Sequence, residues 1–453
     1  MDEITIGQRF PLTIKRQDIN GNGIGYYKRK ITFVVGALPQ EVVVAEVTAI
    51  HDRYLEAKTH RIKTPSPHRV KPIDPNWGKV GGIELGHMAY GAQLNFKRDV
   101  VSQALAKYKP AGWQHYDLRP TLGAKNPLHY RNKAQFQVRR IDGHVRAGLY
   151  APNSHDLVSL TEFATQKPLT MQIINQLCGL LEQLAIPIYD EAHKSGIVKT
   201  LVVRENAAGQ AQLTIVTNSA KLLHKNQLLE AIAREIPAVI SVSQNINKGE
   251  TAMVWGPQTE LLAGAPYLME TIMGREFRLS PQAFLQLNPE QTERLYQQAI
   301  DALDLKPHET LVDAYAGVGT IGLSLAHLTK EVRGMETIPE AVNDANANAK
   351  LNGIDNAHYV LGKAEDVFPQ WLADGFRADA VIVDPPRAGL DAGFIKALHR
   401  ARPKRFVYIS CNPSTLARDL VQLTKDWRVD YIQSIDMFPQ TARCEAVVKF
   451  SKR

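Results

Sequence analysis

The stretch Glu309 to Gly322, ETLVDAYAGVGTIG, decides how the rest of the chain is read. Its apolar run, Thr310 to Val312, ends in Asp313. Three glycines at G-x-G-x-x-G spacing follow, Gly317, Gly319 and Gly322, and Leu323, Leu325 and Ala326 open an apolar helix. Strand, tight turn and helix follow in that order. The glycines let backbone approach a ligand closely, and the first turn of a helix offers unpaired N–H donors. Downstream, the segments EVRGMET, HYVLGKA, ADAVIVD, RFVYIS, WRVDYIQSIDMF and CEAVVKF read as strands separated by helical patterns. This is the signature of a doubly wound α/β sheet, its last two strands forming a terminal hairpin.

Ligands of such sheets bind beyond the carboxyl ends of the strands. Asp313, Glu336, Asp384 and Cys411 all fall at or just past predicted strand ends, so one rim collects them. Glu336 is placed to accept hydrogen bonds from ribose hydroxyls, and Tyr315 lies inside the glycine turn. The turn alone does not choose a chemistry, because nicotinamide oxidoreductases and adenosylmethionine-dependent methyltransferases share it. Two later stretches are more telling. In VIVDPPRAG, residues 381–389, the prolines fix the backbone after a strand and hold the Asp384 carboxylate at the rim. In YISCNPST, residues 408–415, Cys411 ends a strand and precedes a helix start, where a thiolate is favoured and covalent attack on a pyrimidine becomes available. Gln440-Thr-Ala-Arg-Cys-Glu445 leads into the final strand, which makes Glu445 the candidate base.

Upstream of the sheet, RLSPQAFLQLNPEQ places Phe284, Gln286 and Asn288 on an extended segment before a helix that Pro289 starts. Residues 1–60 alternate short β-rich runs with glycine turns, the pattern of a small oligonucleotide-binding type of barrel. Tyr26 and Tyr27 beside Lys28, Arg29 and Lys30 mix stackable rings with cations. Residues 61–270 read as a central α+β domain. It opens with a proline-punctuated linker, and its helix over 90–108 is placed to pack on the catalytic domain of residues 271–453. HYRNKAQFQVRRIDGHVRAGLY, residues 129–150, reads as a hairpin turning at Asp142-Gly143, with Arg131 and Lys133 among the cations that would grip phosphate. The strands KTLVVRE, AQLTIVTN, VSQNIN and TAMVWG follow, and Cys178 sits in an apolar helix as a core residue.

The net charge of +8 is unevenly placed. Residues 1–150 carry 24 lysines and arginines against 12 acids, while the remainder carries 30 against 34. A basic front on a slightly acidic back suggests that one part holds a polyanion and another does chemistry. Three cysteines argue against a disulfide framework. No run of about 18 apolar residues occurs, and MDEITIGQRF lacks a signal pattern, so a cytoplasmic protein away from membranes is expected.

GVGTIG, DPPR, SCNP and DMFPQTARCE, in that order, resemble the RNA (uracil-C5)-methyltransferase family. FLQLN and an N-terminal barrel similar to a TRAM domain extend the likeness over nearly the whole chain. The resemblance implies a class I methyltransferase domain using S-adenosylmethionine, with Cys411 as nucleophile and Glu445 as general base. It also implies that Gln286, Tyr315, Glu336, Asp384, Asp313, Gly317 and Gly319 line the cofactor side. Phe284, Asp384, Arg131 and Lys133 would meet the RNA. Asn76 to Tyr90, NWGKVGGIELGHMAY, has no cysteine where many relatives hold an iron–sulfur cluster, so no cluster and no metal is expected. Arg443 stands where the family commonly has histidine. The likeness is to cluster-free Gram-positive members and implies a monomer acting on 23S ribosomal RNA, with transfer RNA as the alternative. A nicotinamide oxidoreductase would not need the rim thiol. A silent RNA-binding protein would not need both Cys411 and Glu445.

Overall fold

The computed structural model describes residues 4–249 and 253–453. Its largest sheet has eight strands, in the order Ala357–Leu361, Glu331–Glu336, Thr310–Ala314, Ala380–Val383, Arg405–Ser410, Glu445–Lys452, Trp427–Ile435 and Asp117–Leu122. All run parallel except Glu445–Lys452, which is inserted antiparallel between Arg405–Ser410 and Trp427–Ile435. The order reverses between Thr310–Ala314 and Ala380–Val383, the switch point at which such sheets open a crevice. Both faces are covered, as continuous apolar strands require. Leu311, Val332, Ile382 and Ile409 join one core with Leu295 and Leu303 of the helix Pro289–Leu303. Val312, Val381, Val383 and Tyr408 join the other, with Phe394, Leu416 and Val101.

Val101 belongs to the helix Tyr90–Tyr108, which lies on this sheet as expected. The edge strand Asp117–Leu122 was not anticipated. It pairs in parallel with Trp427–Ile435, so the expected border at residue 271 does not follow the sheets. Chain that precedes the central sheet has been lent to the catalytic sheet.

The central region is a seven-stranded sheet backed by the helices Pro168–Gln183 and Lys225–Glu235. The expected hairpin is present as Lys133–Ile141 and His144–Tyr150. Its turn residues Asp142 and Gly143 have φ of 49° and 82°, the left-handed pair that a two-residue hairpin turn needs. Of the expected strand TAMVWG, Thr251 and Ala252 lie outside the described residues; Met253–Gly256 is irregular, and the strand there is Gln258–Gly264. Cys178 is buried among apolar side chains, which pushes its thiol up to about 12.

The N-terminal sheet has six strands, from Arg9–Thr13 to Tyr54–Thr64. A Cβ on Gly25 would strike the Leu12 side chain at 2.7 Å, so glycine there lets the sheet curl onto itself. This region ends beyond the expected residue 60. Its last strand runs to Thr64, and the Glu41 carboxylate, fully buried, accepts hydrogen bonds from Leu38 N, Ser66 N and Arg69.

Candidate active site

The glycine turn is built on Asp313. Its carboxylate is buried and accepts a 2.9 Å bond from Gly322 N, fastening the first turn of the helix Thr320–Leu325 to the preceding strand. Asp313 therefore sits beneath the turn rather than on its open face. Burial, with the charges of Asp384 and Glu336 behind it, pushes the carboxyl up to about 7. Gly322 has no room for a side chain, since a Cβ would meet Tyr359 Oη at 2.5 Å and Asp313 Oδ2 at 2.6 Å.

Gly317 is the opposite case. Its φ is 56°, and a Cβ there would meet nothing within 4 Å, which leaves a shallow cradle above bare backbone. Gly317 N donates to Glu336 Oε2 at 3.0 Å. The other carboxylate oxygen of Glu336 accepts from Thr337 N and Ile338 N, at 2.6 and 3.1 Å. The acid is thereby fixed at the end of the second strand, half-buried beside the cradle. Tyr315 has a φ of 66°, and its ring packs edge-on to Phe394, which shapes the far wall of the turn. Open backbone, a fixed carboxylate and an aromatic wall suit an adenosine-bearing ligand.

The DPPR and SCNP loops are tied together. Asn412 caps the helix Pro413–Leu423 by accepting from Ser414 N, and its amide donates to Arg387 O at 2.9 Å. Thr415 Oγ1 donates to the same carbonyl at 3.2 Å. Cys411 follows Ser410, whose register partner on the antiparallel strand is Ala446, so Glu445 begins its strand next to the thiol.

The electrostatics differ from the expectation of a ready thiolate. Burial, and after it the charges of Glu445 and Asp384, push the Cys411 thiol up to about 11, with Arg387 opposing. The helix start does not outweigh two carboxylates and a dry flank. Glu445, 3% exposed, is pushed up to about 8 by burial and by Asp384, with Lys97 and Arg387 opposing. Enclosure pushes Asp384 up to about 7. Burial raises both carboxyl groups and the Asp384 charge raises Glu445 further, the usual way in which carboxyl groups become proton carriers near neutrality.

Sequence reasoning missed what holds the loop before Glu445. Asp436 is buried and ion-paired with the fully buried Lys97. Lys97 also donates to Phe438 O at 2.9 Å, and Tyr90 Oη donates to Asp436 at 2.9 Å. The Gln93 amide donates to Gln440 Oε1 at 2.9 Å and accepts from Gln440 N at 3.0 Å. Tyr130 Oη donates to Pro439 O. The helical spacing of Gln93 and Lys97 was visible, but nothing local showed a partner more than 300 residues away.

Of the expected RNA-facing residues, Phe284 is 64% exposed on the segment before Gln286, which is buried. Asn132 N donates to Leu287 O, so the central sheet carries that segment. Arg131 lies over the Phe438 ring and Lys133 over Trp255. Arg443 is exposed in the loop that leads into Glu445. The stretch 76–90 is held by packing: Val80 and Ile83 enter the central core, while Leu85 and Met88 meet Leu38, Phe96 and Val100.

A doubly wound sheet with one reversed strand, a glycine cradle and a rim thiol beside a buried glutamate is the architecture of a class I methyltransferase. Residues 258–453 match the family model of tRNA (Uracil-5-)-methyltransferase, and residues 3–59 match that of the TRAM domain. An uncharacterized RNA methyltransferase of Lactiplantibacillus plantarum is 64% identical over 99% of this chain and 94% of its own. One of Enterococcus faecalis is 52% identical over 99% and 98%. The crystal structure of Pyrococcus abyssi tRNA (uracil-54, C5)-methyltransferase with S-adenosyl-L-homocysteine superposes with a TM-score of 0.76 at 24% identity, covering 98% of this chain and all of that one. The chain belongs to the TRAM-bearing RNA (uracil-C5)-methyltransferases, and its methyl donor is S-adenosylmethionine. No described helix is long and apolar enough to cross a membrane.

Proposed function

We propose that this enzyme methylates C5 of a uridine in structured RNA through a covalent bond between Cys411 and C6. The observation that carries the reading is the placement of Cys411 and Glu445 on adjoining strand ends with Asp384 beside them. Glu336, the Gly317 cradle, Tyr315 and Gln286 would hold S-adenosylmethionine, which supplies an electrophilic methyl group. Phe284, Arg131 and Lys133 would meet the RNA.

Uracil C5 is a weak nucleophile until a thiolate adds to C6 and passes the C5–C6 π electrons toward C5 and O4. Cys411 remains partly open to solvent, which gives its proton an exit. Once C5 carries the methyl group, the Glu445 carboxylate takes the C5 proton. The double bond then re-forms and the Sγ–C6 bond breaks, returning the thiolate. Asp384 would hydrogen-bond the uracil edge, and its proton affinity near neutrality lets it donate as well as accept. The target base has to be unpaired or flipped to reach this rim.

The family description names transfer RNA, and this favours transfer RNA over the 23S ribosomal RNA expected from the sequence. The barrel is the feature behind the ribosomal reading. Incubation with labelled S-adenosylmethionine and either an unmodified tRNA transcript or 23S ribosomal fragments, followed by nucleoside mapping, decides between them. Label in 5-methyluridine of one RNA and none with Cys411→Ala is expected; label in neither, or in a different nucleoside, overturns the reading.

A further inference from the structure

Four of the five tryptophans belong to apolar clusters or pack against them, while Trp255 joins none among the described residues. It is half-buried and sits under the ammonium of Lys133, 5.4 Å from the ring centre. Its loop is held by two buried asparagines. Asn247 Nδ2 donates to Met253 O and Val254 O, at 2.7 and 2.9 Å, and Asn245 pairs with the backbone N–H and C=O of Gly256. A bulky ring without a core, on a backbone fixed from both sides, is built for contact.

Lys133 strengthens the case. Among the described residues it has no carboxylate partner, and its cross-strand neighbour is a second cation, Arg204. Arg204 is 3% exposed, and its Nη1 has no hydrogen-bond partner. Burial and Arg204 together push the Lys133 ammonium down to about 7. Glu270 and Asp344 offset the charge of Arg204, but no carboxylate offsets that of Lys133, and a phosphate would supply the missing anion.

Hydrogen bonds link the patch to the segment of Phe284, the candidate target-nucleotide residue. Asn245 donates to Thr259 Oγ1 at 2.8 Å, and Gln282 Nε2 donates to the same oxygen at 2.8 Å. Arg204 donates to Ala283 O, the carbonyl just before exposed Phe284. The segments that carry Trp255 and Phe284 are therefore tied together through Thr259 and Arg204.

We infer that Trp255 and Lys133 form a subsite for a nucleotide flanking the target uridine, the indole stacking on its base and the ammonium binding its phosphate. This rests on the proposed action on RNA. Stacking on an aromatic ring tolerates any base, so the subsite adds affinity and fixes how far the strand is drawn in rather than reading sequence.

The test is equilibrium binding of the full-length protein to an unmodified tRNA transcript and to a 23S ribosomal fragment, across a salt series. Trp255→Ala and Trp255→Leu should weaken binding about tenfold, and Trp255→Phe should restore most of it. Lys133→Met should flatten the dependence of log K on log salt by about one phosphate's worth. S-adenosylmethionine affinity should not change in the tryptophan variants, which separates lost stacking from lost fold. Equal binding by Trp255→Leu and Trp255→Phe would reduce the ring to packing and overturn the subsite. Wild-type affinity in Trp255→Ala, an unchanged slope in Lys133→Met, or no binding of either RNA by the wild-type protein would do the same. Methylation of neither RNA, with the binding losses intact, would sink the uridine reading and leave the subsite standing.

Discussion

In the proposed mechanism, Glu445 and Cys411 set the pH behaviour of the site. A base pushed up to about 8 and a thiol pushed up to about 11 both gain their working forms as pH rises, so kcat/KM should climb through pH 8. Asp384 raises both groups, so Asp384→Asn should move alkylation of Cys411 by iodoacetamide to lower pH by roughly one unit. An unmoved alkylation profile would remove Asp384 from the electrostatics. Stability runs the other way. The folded protein keeps a proton on Glu445 that the unfolded chain loses above its ordinary value of 4.5, so this contribution is present at acid pH and lost as pH rises to about 8. Glu445→Gln should accordingly raise Tm more at pH 8.5 than at pH 5. The same variant should stall after methyl transfer. With no base for the C5 proton, elimination slows, and an RNA–protein band that survives denaturant should accumulate only with S-adenosylmethionine and not in Cys411→Ala. Normal turnover without the band would free Glu445 of its assigned role.

At the scale of elements, the decisive contact is between the helix Tyr90–Tyr108 and the loop 436–444. Gln93→Ala removes bonds to Leu85 O and Met88 O as well as both bonds to Gln440. Buried bonds of this kind contribute about 1 kcal/mol each, so the variant should lose a few kcal/mol of stability and misplace the base. Methylation should fall at least tenfold while S-adenosylmethionine affinity holds, because the Gly317 cradle is carried by other strands. Equal loss of both would show that the helix supports the whole sheet rather than the base loop. Most strands of the catalytic sheet, the glycine turn and the hairpin at Asp142-Gly143 were legible because each is fixed by neighbours in sequence. The edge strand Asp117–Leu122 was not, and the strand expected at TAMVWG lies instead at Gln258–Gly264. The Lys97–Asp436 and Gln93–Gln440 pairs were not, because each partner alone reads as an ordinary polar helix or loop residue. The raised Cys411 thiol was hidden for the same reason: its two acids come from separate strands.

Across the whole molecule, the three regions are less separable than their sequence borders suggest. The catalytic sheet borrows Asp117–Leu122, and the central sheet carries the segment of Phe284 and Gln286. The barrel is anchored through Leu38, which packs with Leu85, Met88, Phe96 and Val100, and through buried Glu41 on Arg69. Cutting at residue 60 would split the strand Tyr54–Thr64 and strip Arg69 of its partner. A truncation would thus confuse RNA binding with folding, and surface changes are the cleaner probe. Tyr27 is a poor choice, since its ring stacks on Phe10 at 3.5 Å. Tyr26 is 55% exposed, and Arg29 lies exposed in the tight turn beyond it, with a φ of 69°. Tyr26→Ala with Arg29→Gln should weaken binding of structured RNA about tenfold and leave S-adenosylmethionine affinity unchanged. The log K against log salt slope should lose about 0.7 to 0.9, the value of one neutralised phosphate. Filter binding at several salt concentrations measures both, and a wild-type slope with wild-type affinity would move the RNA-holding role from the barrel tip to the basic hairpin.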